Sequence, residues 1–284
     1  MFSKTKFIAL ASVLFCLAVP ARADELSEKG RGVFKKNQRA IVTVQIVQKI
    51  SWSSGGRTSE PREVKQDITG TVVDPSGLTV LALSMADPSE MYKRMSSEYK
   101  VDTEISDVKI LLDDGAEIPA EIVLRDKDLD LAFIRPKARQ TTPMAAVDLS
   151  KAAKADVLDQ VITLNRLGRA AGRAYSASVE RISAVVQKPR TFYIPDSTMT
   201  ATALGSPAFA LDGNVVGLMV MRTLASGGNS SMNNFRPDNA TSIILPAEDV
   251  AKAAKQAPEA KGEDEKKEEK KAEAKETKAE TEKK

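Results

Sequence analysis

A chain of 284 residues is long enough to bury a substantial core in one or two domains. Its net charge is +3, with 29% charged residues of both signs interspersed, so nothing argues for a nucleic-acid partner. It has no histidine and one cysteine, Cys16, which removes the commonest general base, the usual zinc and copper ligands and any internal disulfide. No metal and no cofactor is expected.

In chain order, Lys4 and Lys6 precede an apolar run over residues 7–19, and Ala21-Arg22-Ala23 supplies the small residues of a cleavage site. The run is short for a membrane span. Residues 1–23 therefore read as a signal peptide, and the mature protein as exported, either periplasmic or secreted. Cys16 as a lipid anchor is the weaker reading, because the bulky Phe15 precedes it. Residues 24–39 read as an N-terminal helical segment.

Strand patterns follow. IVTVQIVQ (41–48) and ITGTVV (68–73) alternate, and GLTVLAL (77–83) is an apolar run after the turn Asp74-Pro75-Ser76-Gly77. VKILL (108–112) and EIPAEIVL (117–124) flank Asp113-Asp114-Gly115, a hairpin signal. DLAFIR (130–135), VITLN (161–165), YSASVERISAVV (175–186), PAFAL (207–211), VVGLMVMR (215–222) and SIILP (242–246) continue the series. Many short strands separated by turn signals predict an all-β barrel or sandwich rather than a βαβ fold.

Helical pattern is confined to three places: the N-terminal segment, residues 88–99, and AEDVAKAAKQ after Pro246. In the last of these, acidic residues in the first turn and later lysines suit the helix dipole. Residues 256–284 are almost entirely Lys, Glu and Ala and cannot build a core, so they read as a disordered, low-complexity tail. DKDLD (126–130) lacks the glycine and terminal glutamate of a calcium loop.

The order of these motifs resembles the trypsin-like serine proteases, in particular the exported HtrA group, over residues 40–255. ITGTVVDPSGLTVLALSMAD looks like that group's first-barrel hairpin and the strand carrying the catalytic histidine. VKILLDDGAEIPAEIVLRDKDLDLAFIR is similar to the next hairpin and the Asp-Leu-Ala strand carrying the catalytic aspartate. PAFALDGNVVGLMV looks like the strand pair after the Gly-Asn-Ser-Gly-Gly-Pro nucleophile motif, and SIILPAEDVAKAAKQ like the final strand and helix. The resemblance implies one trypsin-like double β-barrel domain of the chymotrypsin type over 40–255, with a few peripheral helices. Two six-stranded barrels would enclose a cleft, and the charged tail rather than a PDZ domain would follow.

Carried over residue by residue, the histidine position falls on Ser84 and the aspartate on Asp130. The nucleophile position falls on Leu204. The nucleophile motif stands as Thr202-Ala203-Leu204-Gly205-Ser206-Pro207, a degenerate oxyanion turn with Thr202 replacing a glycine and Gly205 retained. A triad needs a serine oxygen, an imidazole to take its proton and a carboxylate to orient that imidazole. Leucine has no nucleophilic atom, and no register can supply an imidazole that the chain lacks.

The register expects Ser84, Asp130 and Leu204 to converge at one cleft, with Asp130 largely buried and Leu204 making the floor apolar. No functional catalytic residue is expected. The protein reads as an inactive homologue, a pseudoprotease holding an unidentified peptide or protein partner, in part by strand addition beside the cleft. One alternative is a hydrolase using Ser206 as a non-standard nucleophile. The other is an envelope-associated structural protein acting through residues 256–284. Residues 85–106 are an extra segment after the Ser84 strand and a candidate cover for the cleft.

Overall fold

The computed structural model of the protein describes residues 22–89, 100–196, 203–224 and 240–259. Cys16, Thr202, most of the signal peptide, residues 90–99 of the candidate cover and all but the first residues of the tail lie outside them.

The apolar alternation that opens at Ile41 runs further than its sequence signal, giving β1 (Ile41–Ser54), to which the short β2 (Arg57–Thr58) is appended. The first sheet continues with β3 (Arg62–Val72), β4 (Thr79–Ala82), β5 (Lys100–Leu111), β6 (Glu117–Asp126) and β7 (Leu131–Pro136). Their order is β1-β3-β4-β7-β6-β5, closed where β5 pairs with β1.

The second barrel is built from β8 (Gln160–Arg166), β9 (Tyr175–Val186), β10 (Phe192–Pro195), β11 (Pro207–Ala210), β12 (Val215–Thr223) and β13 (Ala240–Pro246). It closes in the order β10-β13-β12-β11-β8-β9. The expected all-β double barrel is therefore observed. Among the described residues its α-helices are α1 (Arg22–Asn37), α2 (Leu83–Ala86) and α3 (Ala247–Ala254).

Alternation gives each barrel an inside and an outside. Val44, Ile46, Ile110 and Ile134 fill the first interior, and Val161, Ile182, Val216 and Ile244 the second. The outward faces are also apolar where the barrels meet. Val80, Leu131 and Phe133 pack against Phe192, Leu218, Val220 and Leu245, and α3 covers this seam with Val250 and Ala253. On the other side Val33 of α1 joins Ile41, Ile162 and Phe209.

A polar stripe accompanies the apolar seam. Asp67, Thr69 and Thr71 alternate along β3 and so share one face. The Asp67 carboxylate accepts from Arg169 at 3.0 Å, Arg173 at 2.7 Å and Gln45 at 3.1 Å. The Thr69 hydroxyl donates to Asn165 Oδ1 at 2.7 Å, and the Thr71 hydroxyl to the Gly205 carbonyl at 2.8 Å. Burial pushes the Asp67 carboxyl up, but the hydrogen bonds from Arg169, Arg173 and Gln45 outweigh it and hold the group at about 2.

Two further elements differ from the sequence reading. β5 begins at Lys100, because Val101, Thr103 and Ile105 pair with Trp52, Ile50 and Gln48 of the lengthened β1. Residues 100–106 therefore belong to the first barrel's sheet and not to a cover. β10 had no strand signal, being four residues ended by Pro195.

Candidate functional site

Asp130 stands immediately before β7 and Ser84 in α2 immediately after β4. The antiparallel register pairs Ala82 with Leu131, which brings the next residues of both strands together. The Leu83 N–H donates to the Asp130 carbonyl at 2.9 Å and extends the ladder by one bond. At this junction Asp130 takes the left-handed backbone region, φ 58°, which aspartate tolerates better than most residues.

The bend aims the carboxylate back at Ser84. The Ser84 N–H donates to Oδ1 at 2.7 Å and its hydroxyl to Oδ2 at 2.9 Å. A third donor comes from the second barrel, where the Met221 N–H on β12 reaches Oδ2 at 2.8 Å. Asp130 is half-buried, and its charge is compensated by these donors.

The turn holding Leu204 is also fixed by β12. The Gly205 N–H donates to the Met219 carbonyl, and the Met219 N–H to the Ser206 carbonyl, each at 2.8 Å. Met219 and Met221 lie two residues apart on one edge of β12. That edge therefore holds the Leu204 turn with one residue and Asp130 with the next.

The turn sits tightly on the first barrel. A Cβ added at Gly205 would stand 2.3 Å from the Thr69 carbonyl oxygen and 3.6 Å from the Ala82 nitrogen. With φ at 89°, no other residue type fits here without strain, which accounts for the one glycine retained in the degenerate motif.

Ser84, Asp130 and Met221 line a cleft of about 270 Å³, together with Leu83, Phe192 and Arg222 among others. Leu204 does not line it. Its side chain is 1% exposed, so the expected apolar cleft floor is corrected. An isobutyl group gains about 2 kcal/mol by leaving water, and the turn directs it inward. Ser206 is fully buried, and its hydroxyl has no hydrogen-bond partner. It too is absent from the cleft wall.

The structure thus joins Ser84 to Asp130 directly and seats the Leu204–Gly205 turn beside Ala82, two residues before Ser84. Sequence reasoning missed Met221, whose contribution is a main-chain N–H that no side-chain pattern announces. It also missed Arg222, whose guanidinium lies 4.9 Å from the centre of the Phe192 ring.

The trypsin-like peptidase domain family matches residues 68–218. Protease Do-like 14 of Arabidopsis thaliana is 27% identical over 166 residues, 56% of this chain. The match spans 36% of that protein, about a third of its length. The crystal structure of the MamO protease domain from Magnetospirillum magneticum (apo form) superposes with a TM-score of 0.48 at 15% identity, covering 77% of this chain and 97% of that one. The matched residues 68–218 exceed half of the chain and include Ser84, Asp130 and Leu204, and the chain belongs to the trypsin-like peptidase domain family.

Proposed function

We propose that this protein is an exported, non-hydrolysing member of its family that holds an extended peptide segment of a partner protein in the cleft. The observation that carries the reading is the capture of the Asp130 carboxylate by the Ser84 N–H and hydroxyl, in a chain with no histidine. The carboxylate that would orient an imidazole has an internal partner instead, and the position of the attacking oxygen holds Leu204. The burial of Ser206 supports the same reading. A nucleophile must reach both its base and the substrate, and this hydroxyl touches neither cleft nor partner.

The binding half of the proposal rests on β12. Its pairing with β11 ends at Leu218, whereas β13 follows it on the other side as far as Thr223. Beyond Met221, the cleft-side edge of β12 has no strand partner among the described residues. The Met221 N–H is held by Asp130, so the Met221 carbonyl and the main-chain groups of Thr223 on that edge are the ones that can receive an added strand, and such hydrogen bonds do not depend on a triad.

The test is incubation of the purified protein with an unfolded polypeptide, followed by co-sedimentation and mass analysis. Retention of intact polypeptide is the expected result. Fragments cut at defined sites would overturn the non-hydrolysing reading, and absence of retention would overturn the binding one.

A further inference from the structure

We infer that the cleft selects an acidic side chain, Asp or Glu, in the segment it holds, with Arg190 and Arg222 as the groups that bind the carboxylate. This rests on the peptide-binding reading above and names the chemistry of its ligand. Both arginines line the cleft, Arg222 from β12 and Arg190 from the residues just before β10.

The Phe192 ring holds Arg222 by its π face, and a cation placed over a ring keeps its N–H rim available. Among the described residues neither guanidinium has a carboxylate partner. The acids of the same wall are in a different condition. Asp130 accepts from three donors, and Asp87 accepts from the Ser89 N–H at 3.2 Å and hydroxyl at 2.6 Å. Asp128 is exposed at the rim. The wall therefore keeps both guanidinium groups in reserve, whereas both Asp130 oxygens and one of Asp87 are already engaged.

Arg190 also borders a neighbouring cavity that contains Asp156, Asp159, Glu248 and Asp249, and it pairs with none of them. Leu83, Leu129, Phe192, Ile243 and Leu245 supply the apolar part of the cleft wall. Apolar surroundings strengthen a charge-assisted hydrogen bond made inside the cleft. A volume of about 270 Å³ suits one side chain, below the range of sites for larger molecules. An extended segment added to the β12 edge would place every second side chain on one face, so a single residue of it enters the cleft.

The experiment is selection from a randomised hexapeptide library, acetylated and amidated so that no terminal charge remains, on the immobilised full-length protein. Asp and Glu at one position should be enriched about tenfold over Asn and Gln, the factor a partly screened charge-assisted hydrogen bond provides. The enrichment should fall in Arg190→Gln and in Arg222→Gln, and should weaken as salt rises. Arg190 is exposed, so its variant tests the idea even if Arg222→Gln perturbs the Phe192 packing. Peptides bound without acidic preference would overturn this inference and leave the peptide-binding reading standing. No bound peptide at all would overturn both, and enrichment that both variants retain would overturn the assignment to these arginines.

Discussion

Ser84 grips Asp130 with two donors at once, its N–H on one carboxylate oxygen at 2.7 Å and its hydroxyl on the other at 2.9 Å. The Met221 N–H adds a bond from the second barrel, so the carboxylate is also a tie between the barrels. A group in this position has a structural role whether or not any chemistry occurs beside it.

Removing the carboxylate should therefore destabilise the protein more than removing the hydroxyl. Ser84→Ala deletes one hydrogen bond and should cost about 1 kcal/mol. Asp130→Ala leaves the Ser84 and Met221 N–H groups without their acceptor and places alanine in the left-handed region, with an expected cost of about 3 kcal/mol. Urea unfolding midpoints at constant slope would measure the difference. Equal effects would show that the Asp130 bonds add little.

The Asp67 clamp predicts an acid limit to stability. Its folded value of about 2 lies below the ordinary 3.8, so the ionised form is favoured by folding. That contribution is complete above about pH 4 and is lost as pH falls toward 2. The melting temperature should drop across this window. Asp67→Asn should lower stability at pH 7 and flatten the acid part of the curve. An unchanged acid slope in the variant would remove Asp67 from the account.

The seat of the Leu204 turn predicts intolerance at Gly205. A Cβ there meets the Thr69 carbonyl at 2.3 Å in addition to adopting a positive φ, so Gly205→Ala should cost about 2 kcal/mol or more. Thr71→Val, which removes only the bond to the Gly205 carbonyl, should cost about 1 kcal/mol. Thermal unfolding of the two variants side by side would show whether steric overlap or the hydrogen bond dominates.

How much of this was legible in the sequence differs from residue to residue. Asp130 and Ser84 were carried over from the family resemblance, aligned on Asp-Leu-Ala and on the Gly77 turn, and each lies within a few residues of its anchor, so the carry-over left little room for slippage. Leu204 was placed in the turn before Pro207, but its burial away from the cleft is a tertiary outcome, which local pattern does not encode. Met221 acts through its backbone, and Arg222 meets Phe192 only because β12 and β10 flank β13 in the same barrel. β5 was read too short because Lys100–Asp107 is a polar-rich edge whose partner is the far half of β1.

The proposed export predicts a particular mature terminus. Intact-mass and N-terminal analysis of protein recovered from the envelope or medium of the producing cell should find Asp24 first. An acylated Cys16 would replace the cleaved-signal reading with a lipid anchor.

The non-hydrolysing reading meets its most direct test in reaction of the pure protein with a fluorophosphonate, followed by intact-mass and peptide mapping. The reagent requires an activated serine oxygen, which neither Ser84, donating to Asp130, nor the buried Ser206 offers. Unmodified mass after prolonged incubation is the predicted result. A stoichiometric adduct on any serine, abolished by prior denaturation, would contradict it.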